Sequence, residues 1–262
     1  MPAVSIQFPA ALDVPERHPY RIEGPARVLI LSDIHTPYHS PEALALMAEW
    51  AVKWKPTYVL FNGDSVDFYA ISAFERDPKK RDLKTELEGW SLLMTTLRKV
   101  FPRARFVLKG GNHEARWQRY LWAKAPEIAG VPCLSLPELL QLPRFKTDFV
   151  PGLTQVRLGK LVVIHGHEYR WAISNPVNPA RGLFLRAKTS ALCGHHHQRS
   201  THSEADATGH LISTWSTGCL CHLSPDYSPM NNWSHGFAAV EVGRDGAYDV
   251  DNLKIYKGKV YR

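Results

Sequence analysis

Five times along the chain a short apolar run stops abruptly at an acid, an amide or an imidazole: ARVLILSD (26–33), TYVLFNGD (57–64), RFVLKGGNHE (105–114), LVVIHGHE (161–168) and TSALCGHHH (189–197). Runs this short read as buried strands, each delivering its polar residues at the strand's C-terminal end. After the first of them, SPEALALMAEWAVKW sets apolar residues at helical spacing behind Ser40 as N-cap and Pro41 at the first helical position. DLKTELEGWSLLMTTLRKVF (82–101) supplies a second helix before the third run. Strands alternating with helices predict an α/β sandwich whose site lies along one edge of a sheet. Beyond the fifth run, HLISTWSTGCL, GFAAVEV and LKIYKGKVY alternate like strands with turns between them, so the second half should close with mainly antiparallel strands.

A chain of 262 residues, 44% hydrophobic and 22% charged, suits one domain, 1–262, with a sizeable core. Residues 1–25 are proline-rich and read as an N-terminal extension. In 115–160 prolines break short helical segments, which predicts an insertion or cap near the site. No run approaches the roughly 18 apolar residues of a membrane span, and the start lacks a basic segment followed by a long apolar one. A cytoplasmic protein with no membrane partner is expected. Cys133, Cys193, Cys219 and Cys221 show no disulfide spacing and are expected reduced and at least partly buried. A lone Cys219-x-Cys221 without a second pair does not define a metal site. The net charge of +7 favours anionic partners such as phosphates and nucleic acid.

The strand ends carry Asp33-x-His35, Gly63-Asp64-x-x-Asp67, Gly111-Asn112-His113-Glu114, His165-Gly166-His167 and Gly194-His195-x-His197. Mixed carboxylate, imidazole and amide donors suit borderline divalent ions, and a carboxylate with two oxygens can bridge a pair of them. The triplet His195-His196-His197 by itself reads three ways: three ligands, two ligands and a passenger, or a polar turn. In an extended segment adjacent side chains point apart while those two apart share a side, which favours His196 as the passenger.

As a set, from Val28 to His197, these motifs resemble the calcineurin-like metallophosphoesterase family, and GNHEARWQRYLWAKAPE resembles its phage and prophage members. The resemblance implies a four-layer αββα sandwich of two mixed sheets flanked by helices, with a dimetal site at strand C-terminal ends. It implies that Asp33, His35 and His197 hold one metal, that Asn112, His165 and His195 hold the other, and that Asp64 bridges both. His113 would be the general acid, free of metal, with the Asp67 carboxylate orienting it. The cofactor would be two divalent ions, Mn²⁺ foremost, with Fe, Zn, Co or Ni satisfying the same ligands. The reaction would be phosphoester hydrolysis by in-line attack of a metal-bridging hydroxide.

Arg98, Lys99, Arg103, Arg105, Lys109, Arg116, Arg119 and Lys124 surround the third motif, and at least half of them read as a solvated helix face. Arg116, three residues after His113, is the candidate to reach a substrate phosphate, joined by His167 and by Arg170 on a second basic rim. Trp117, Trp122 and Trp171 lie among these cations, a composition that can stack bases; packing onto the core is the commoner role. Related protein phosphatases extend the second motif to G-D-x-V-D-R-G with a phosphate-clamping arginine, whereas here GDSVDFYA places Phe68 at that position. The expected activity is therefore a phosphodiesterase or nuclease acting on DNA, RNA or nucleotides. The alternative is a broad phosphomonoesterase, and a non-catalytic scaffold of the same fold is the third reading.

Overall fold

A computed structural model describes residues 8–14, 16–74, 77–80, 82–169 and 177–262. The first two apolar runs become β2 (Ala26–Leu31, after β1 at Tyr20–Ile22) and β3 (Tyr58–Asn62), with α1 (Pro41–Trp54) between them. Ser40 caps α1 by accepting from the Ala43 N–H, and Lys55 ends it in the left-handed conformation. Helix α2 (Leu83–Val100) is capped by Asp82 in the same manner and leads into β4 (Arg105–Lys109). There follow α3 (Ala115–Lys124), the single turn α4 (Leu136–Leu139), β5 (Thr147–Val150), β6 (Val156–Leu158) and β7 (Leu161–Val163). After α5 (Pro179–Ala187) come β8 (Ala191–Cys193), β9 (Ser200–Ala205), β10 (Leu211–Ser216), β11 (Gly236–Val242), β12 (Tyr248–Tyr256) and β13 (Lys259–Tyr261).

The strands form two mixed sheets, a seven-stranded one ordered β13-β12-β11-β2-β3-β4-β5 and a six-stranded one ordered β1-β6-β7-β8-β10-β9. Strands β2 to β5 run parallel, and β11 joins β2 antiparallel to begin the C-terminal meander. Period-two alternation explains why the central runs are apolar at almost every position. Val28 and Ile30 of β2 face the core between the sheets together with Leu60, Val107, Leu161, Val163 and Leu192. Leu29 and Leu31 face the other way, onto Met47, Trp90 and Leu97 of the helices. Helix α5 covers the far side of the smaller sheet through Leu183, against Val162, Ala191 and Cys193. Helix, sheet, sheet and helix thus make the four layers expected. Each large side chain removed from water this way contributes about 1.5–3 kcal/mol.

Three expectations need correction. The segment 1–25 is not wholly an extension, because Tyr20–Ile22 pairs parallel with β6 as an edge strand. Within 115–160, β5 pairs parallel with β4, and Trp117, Leu121, Leu140, Leu142 and Phe145 join the main core, so much of this stretch is body rather than overlay. Cys133 is exposed, whereas Cys193, Cys219 and Cys221 are buried, and all four are free thiols. No helix among the described residues is long and apolar enough to cross a membrane.

Candidate metal centre

The C-terminal ends of β2, β3 and β4 in one sheet meet those of β7 and β8 in the other, and the five motifs lie in the loops that follow. Asp33, His35, Asp64, His195 and His197 all adopt positive φ, between 51° and 68°. Non-glycine residues enter this region rarely and at a cost, and such outliers gather at functional sites where surrounding structure enforces them. Two glycines let the loops approach. A Cβ on Gly111 would lie 2.2 Å from Asp64 Oδ1, and one on Gly194 would lie 2.7 Å from Asp33 Oδ2.

His165 Nδ1 donates to the Asn62 carbonyl at 2.8 Å, which leaves Nε2 with its lone pair when the ring is neutral. That nitrogen sits 3.2 Å from Asn112 Oδ1 and 3.2 Å from Asp64 Oδ2, so three acceptors converge. On the other side His35 Nδ1 donates to Asp67 Oδ2 at 3.0 Å, and its Nε2 lies 3.2 Å from His197 Nε2. Asp33 Oδ1 is buried without a hydrogen bond among the described residues, 3.2 Å from His197 Nε2. Acceptors facing acceptors in a buried site require positive charge between them. Burial opposes charging these rings, yet Asp64 raises His165 to about 10, the Asp67 hydrogen bond raises His35 to about 10, and Asp33 raises His197 to about 9. Burial likewise works against an ionised Asp64, but His113, His165 and His35 outweigh it and hold this carboxyl well below the usual range. Divalent cations supply the same charge and displace those protons on binding, so the donor set fits a metal.

Possible ligand atoms lie within 4.8 Å of one another in three groups: Asp64, His165 and His195; His35, Asp64 and His113; His35, His197 and Cys221. Asp64 belongs to two of them. His195 is further anchored by its own N–H, which donates to Asp33 Oδ2 at 2.8 Å.

Asp67 divides its contacts in a way the motif alone does not reveal. Its carboxylate binds His35, whereas its main-chain carbonyl accepts from His113 Nδ1 at 2.8 Å; the carboxylate is 3.7 Å from that nitrogen. Arg116 donates to the same carbonyl at 2.9 Å and to His113 Nε2 at 3.0 Å. The His113 ring is therefore neutral with its proton on Nδ1, and burial lowers its pKa to about 4.

Two carboxylates, the buried Glu114 and the largely buried Glu168, brace the loops. Glu114 accepts from the N–H groups of Asp64, Ser65, Val66 and Gly111, clamping the second motif to the third. Glu168 accepts from the N–H groups of His165 and Gly166 and pairs with Lys109 Nζ at 2.7 Å. Lys109 is fully buried, not part of a solvated face. Sequence reasoning missed Glu168, whose only signal was its place after HGH, and it did not connect Cys221 to the ligands. The Cys221 Sγ is 3.9 Å from His197 Nδ1.

The remaining expected residues are less central. His167 lies beside His165, its ring tilted 55° with centroids 5.3 Å apart, and its Nδ1 is 3.5 Å from Glu168 Oε2. His196 lies against His195, and its buried Nε2 has no hydrogen-bond partner among the described residues. Arg170 and Trp171 lie outside the described residues. Trp117 is buried and donates to the Leu134 carbonyl, while Trp122 is exposed.

A model of the calcineurin-like phosphoesterase family matches residues 26–217, a span that holds every motif above. Among curated proteins no sequence matches the chain. It is similar to the solved structure of vacuolar protein sorting 29 from Cryptosporidium parvum, at 14% identity over 90% of this chain and 94% of that one, with a TM-score of 0.48. For a dimetal phosphatase from Danio rerio the figures are 11%, 90%, 98% and 0.47. For Yfce, a phosphoesterase from E. coli, they are 17%, 88%, 100% and 0.39.

Proposed function

The chain belongs to the calcineurin-like phosphoesterase family and is a metal-dependent phosphoester hydrolase, and on that premise we propose that it cleaves phosphodiesters of nucleic acid or nucleotides. Asp64 carries the two-metal part of this reading. Its buried Oδ2 lies 3.2 Å from His165 Nε2 and 4.0 Å from His35 Nε2, so one carboxylate serves both sets of ligands. Asp33, His35 and His197 would hold one cation, Asn112, His165 and His195 the other, and Asp64 both. Two divalent ions, Mn²⁺ foremost, would supply an acidified water and Lewis acidity toward phosphate oxygens.

His113 is the residue placed to move a proton. With Nδ1 tied to the Asp67 carbonyl, Nε2 is the atom left to take a proton and face a leaving oxygen once the Arg116 guanidinium that donates to it turns to the phosphate. The neutral ring needs a partner to become an acid, and a phosphate anion beside it supplies one by favouring the charged form. Arg116, 3.0 Å from that nitrogen, is placed to hold a phosphate oxygen at the same point.

Phe68 supports a diester over a monoester. It is wholly buried in the core where related phosphatases place their clamping arginine, which leaves less positive charge for a dianionic monoester. The net charge of +7 suits a polyanion. The test is turnover by the Mn²⁺-loaded protein of bis-p-nitrophenyl phosphate, p-nitrophenyl phosphate and single-stranded DNA. Cleavage of the diester and the DNA is expected. Turnover of the monoester alone would replace the reading with a phosphomonoesterase, and inertness toward all three with two metals bound would leave a scaffold.

A further inference from the structure

A cleft of about 690 Å³ opens beside the metal centre; His35, Asp67, His113 and Arg116 form its inner wall, and neither the motifs nor the reaction account for the rest. Its volume falls within the roughly 300–1,000 Å³ of small-molecule sites. Tyr38 and Tyr69 stand edge to face, with ring centroids 6.1 Å apart. Tyr227 and Trp233 make a second such pair, also at 6.1 Å, and Trp233 lies 4.0 Å from the His197 ring. Phe74 completes the aromatic lining, and Lys80 forms an ion pair with Asp226, tying the Tyr69 side of the cleft to the Tyr227 side.

The chemistry of this lining selects its occupant. Among the described residues no leucine, isoleucine or valine lines the cleft, and Pro225 is its one wholly aliphatic side chain, so an acyl chain meets little aliphatic surface. Aromatic faces match a planar ring, and the hydroxyls of Ser72 and Ser224 add polar partners for its edges. The position matters as much, because His113 and Arg116 form part of the same lining and thus place the cleft where the leaving oxygen departs. We propose that this cleft is a nucleoside subsite: it seats the base of the leaving nucleoside among Tyr38, Tyr69, Tyr227 and Trp233. The inference rests on the phosphodiesterase reading above, but it is testable apart from it.

Two measurements on the Mn²⁺-loaded protein separate the two. The first is calorimetric titration with deoxyadenosine, with ribose as control, which does not depend on turnover. Deoxyadenosine should bind and ribose should not, and Tyr227→Ala, at an exposed position, should weaken binding by about tenfold or more. The second is the ratio of kcat/KM for a deoxyadenosine dinucleotide to that for glycerophosphoethanolamine, a diester with two aliphatic groups. Tyr227→Ala and Trp233→Ala should lower this ratio by about tenfold, mainly through KM, with the metal content of Tyr227→Ala, which is remote from the ligands, unchanged. If deoxyadenosine binds no better than ribose, or if both variants keep the wild-type ratio, the subsite is wrong while the hydrolase stands. Binding of deoxyadenosine without turnover of either diester would support the subsite and overturn the phosphodiesterase.

Discussion

Lys109 Nζ and Glu168 Oε1 lie 2.7 Å apart, joining the end of β4 to the loop after β7 with the lysine wholly out of water. Lys109 Nζ also donates to the Gly152 carbonyl at 2.6 Å, and Glu168 also holds the His165 and Gly166 N–H groups, so one largely buried pair fixes loops from both sheets. Burial works against an ionised Glu168, but Lys109 outweighs it and lowers the carboxyl to about 2. Removing one partner strands the other's charge. Lys109→Met should therefore destabilise the fold by about 3–5 kcal/mol, read from denaturant melts, and the double change with Glu168→Gln should recover part of that loss. Equal stability of wild type and Lys109→Met would show that the pair is dispensable.

Burial pushes Glu86 up to about 7 from its ordinary 4.5, although its carboxylate accepts from the Tyr69 and Ala70 N–H groups. Folding thus favours the protonated form. The resulting stabilisation is complete below pH 4.5 and is lost as pH rises through about 7. Wild type should lose up to about 3 kcal/mol across this window, and Glu86→Gln, which carries no titrating proton, should lose less. Thermal melts of both proteins at either end of the window check it; parallel pH profiles would contradict it.

Gly111 has no room for a side chain, since a Cβ there would sit 2.2 Å from Asp64 Oδ1 and 2.6 Å from the Asp64 nitrogen. Gly111→Ala should displace Asp64 and lower bound metal by far more than it lowers stability. Metal analysis beside a melting curve separates the two effects.

The five strand ends were legible in the sequence because each candidate ligand follows its strand by two to four residues, so local pattern suffices to place it. What stayed hidden is non-local. Glu168 gains its meaning only when β4 lies beside the loop after β7, and Cys221 only when its loop folds against His197. Asp67 looked like an orienter of His113 through its carboxylate, but the backbone turn presents its carbonyl to His113 and frees the carboxylate for His35. Strands β1 and β6 have three residues each, too few for alternation to declare them. The aromatic cleft draws on separate loops with no common spacing.

Within the triplet, His195 and His197 fall in the ligand groups and His196 does not. His196→Ala should keep both metals, whereas His195→Ala or His197→Ala should lose one. His113→Ala should keep metal and lose about 10²- to 10⁴-fold in turnover of esters with poor leaving groups. Loss of a metal from His113→Ala would reassign that ring as a ligand, since its Nε2 stands 3.8 Å from Asp64 Oδ2.

The proposed centre depends on Asp64 serving two cations at once. Metal stoichiometry of Mn²⁺-saturated wild type and Asp64→Ala, measured together with hydrolysis of bis-p-nitrophenyl phosphate, tests this directly. Wild type should hold two ions per chain and turn over, whereas Asp64→Ala should lose occupancy at both sites and with it the activity. Two ions retained in Asp64→Ala, or a single ion in a fully active wild type, would contradict it.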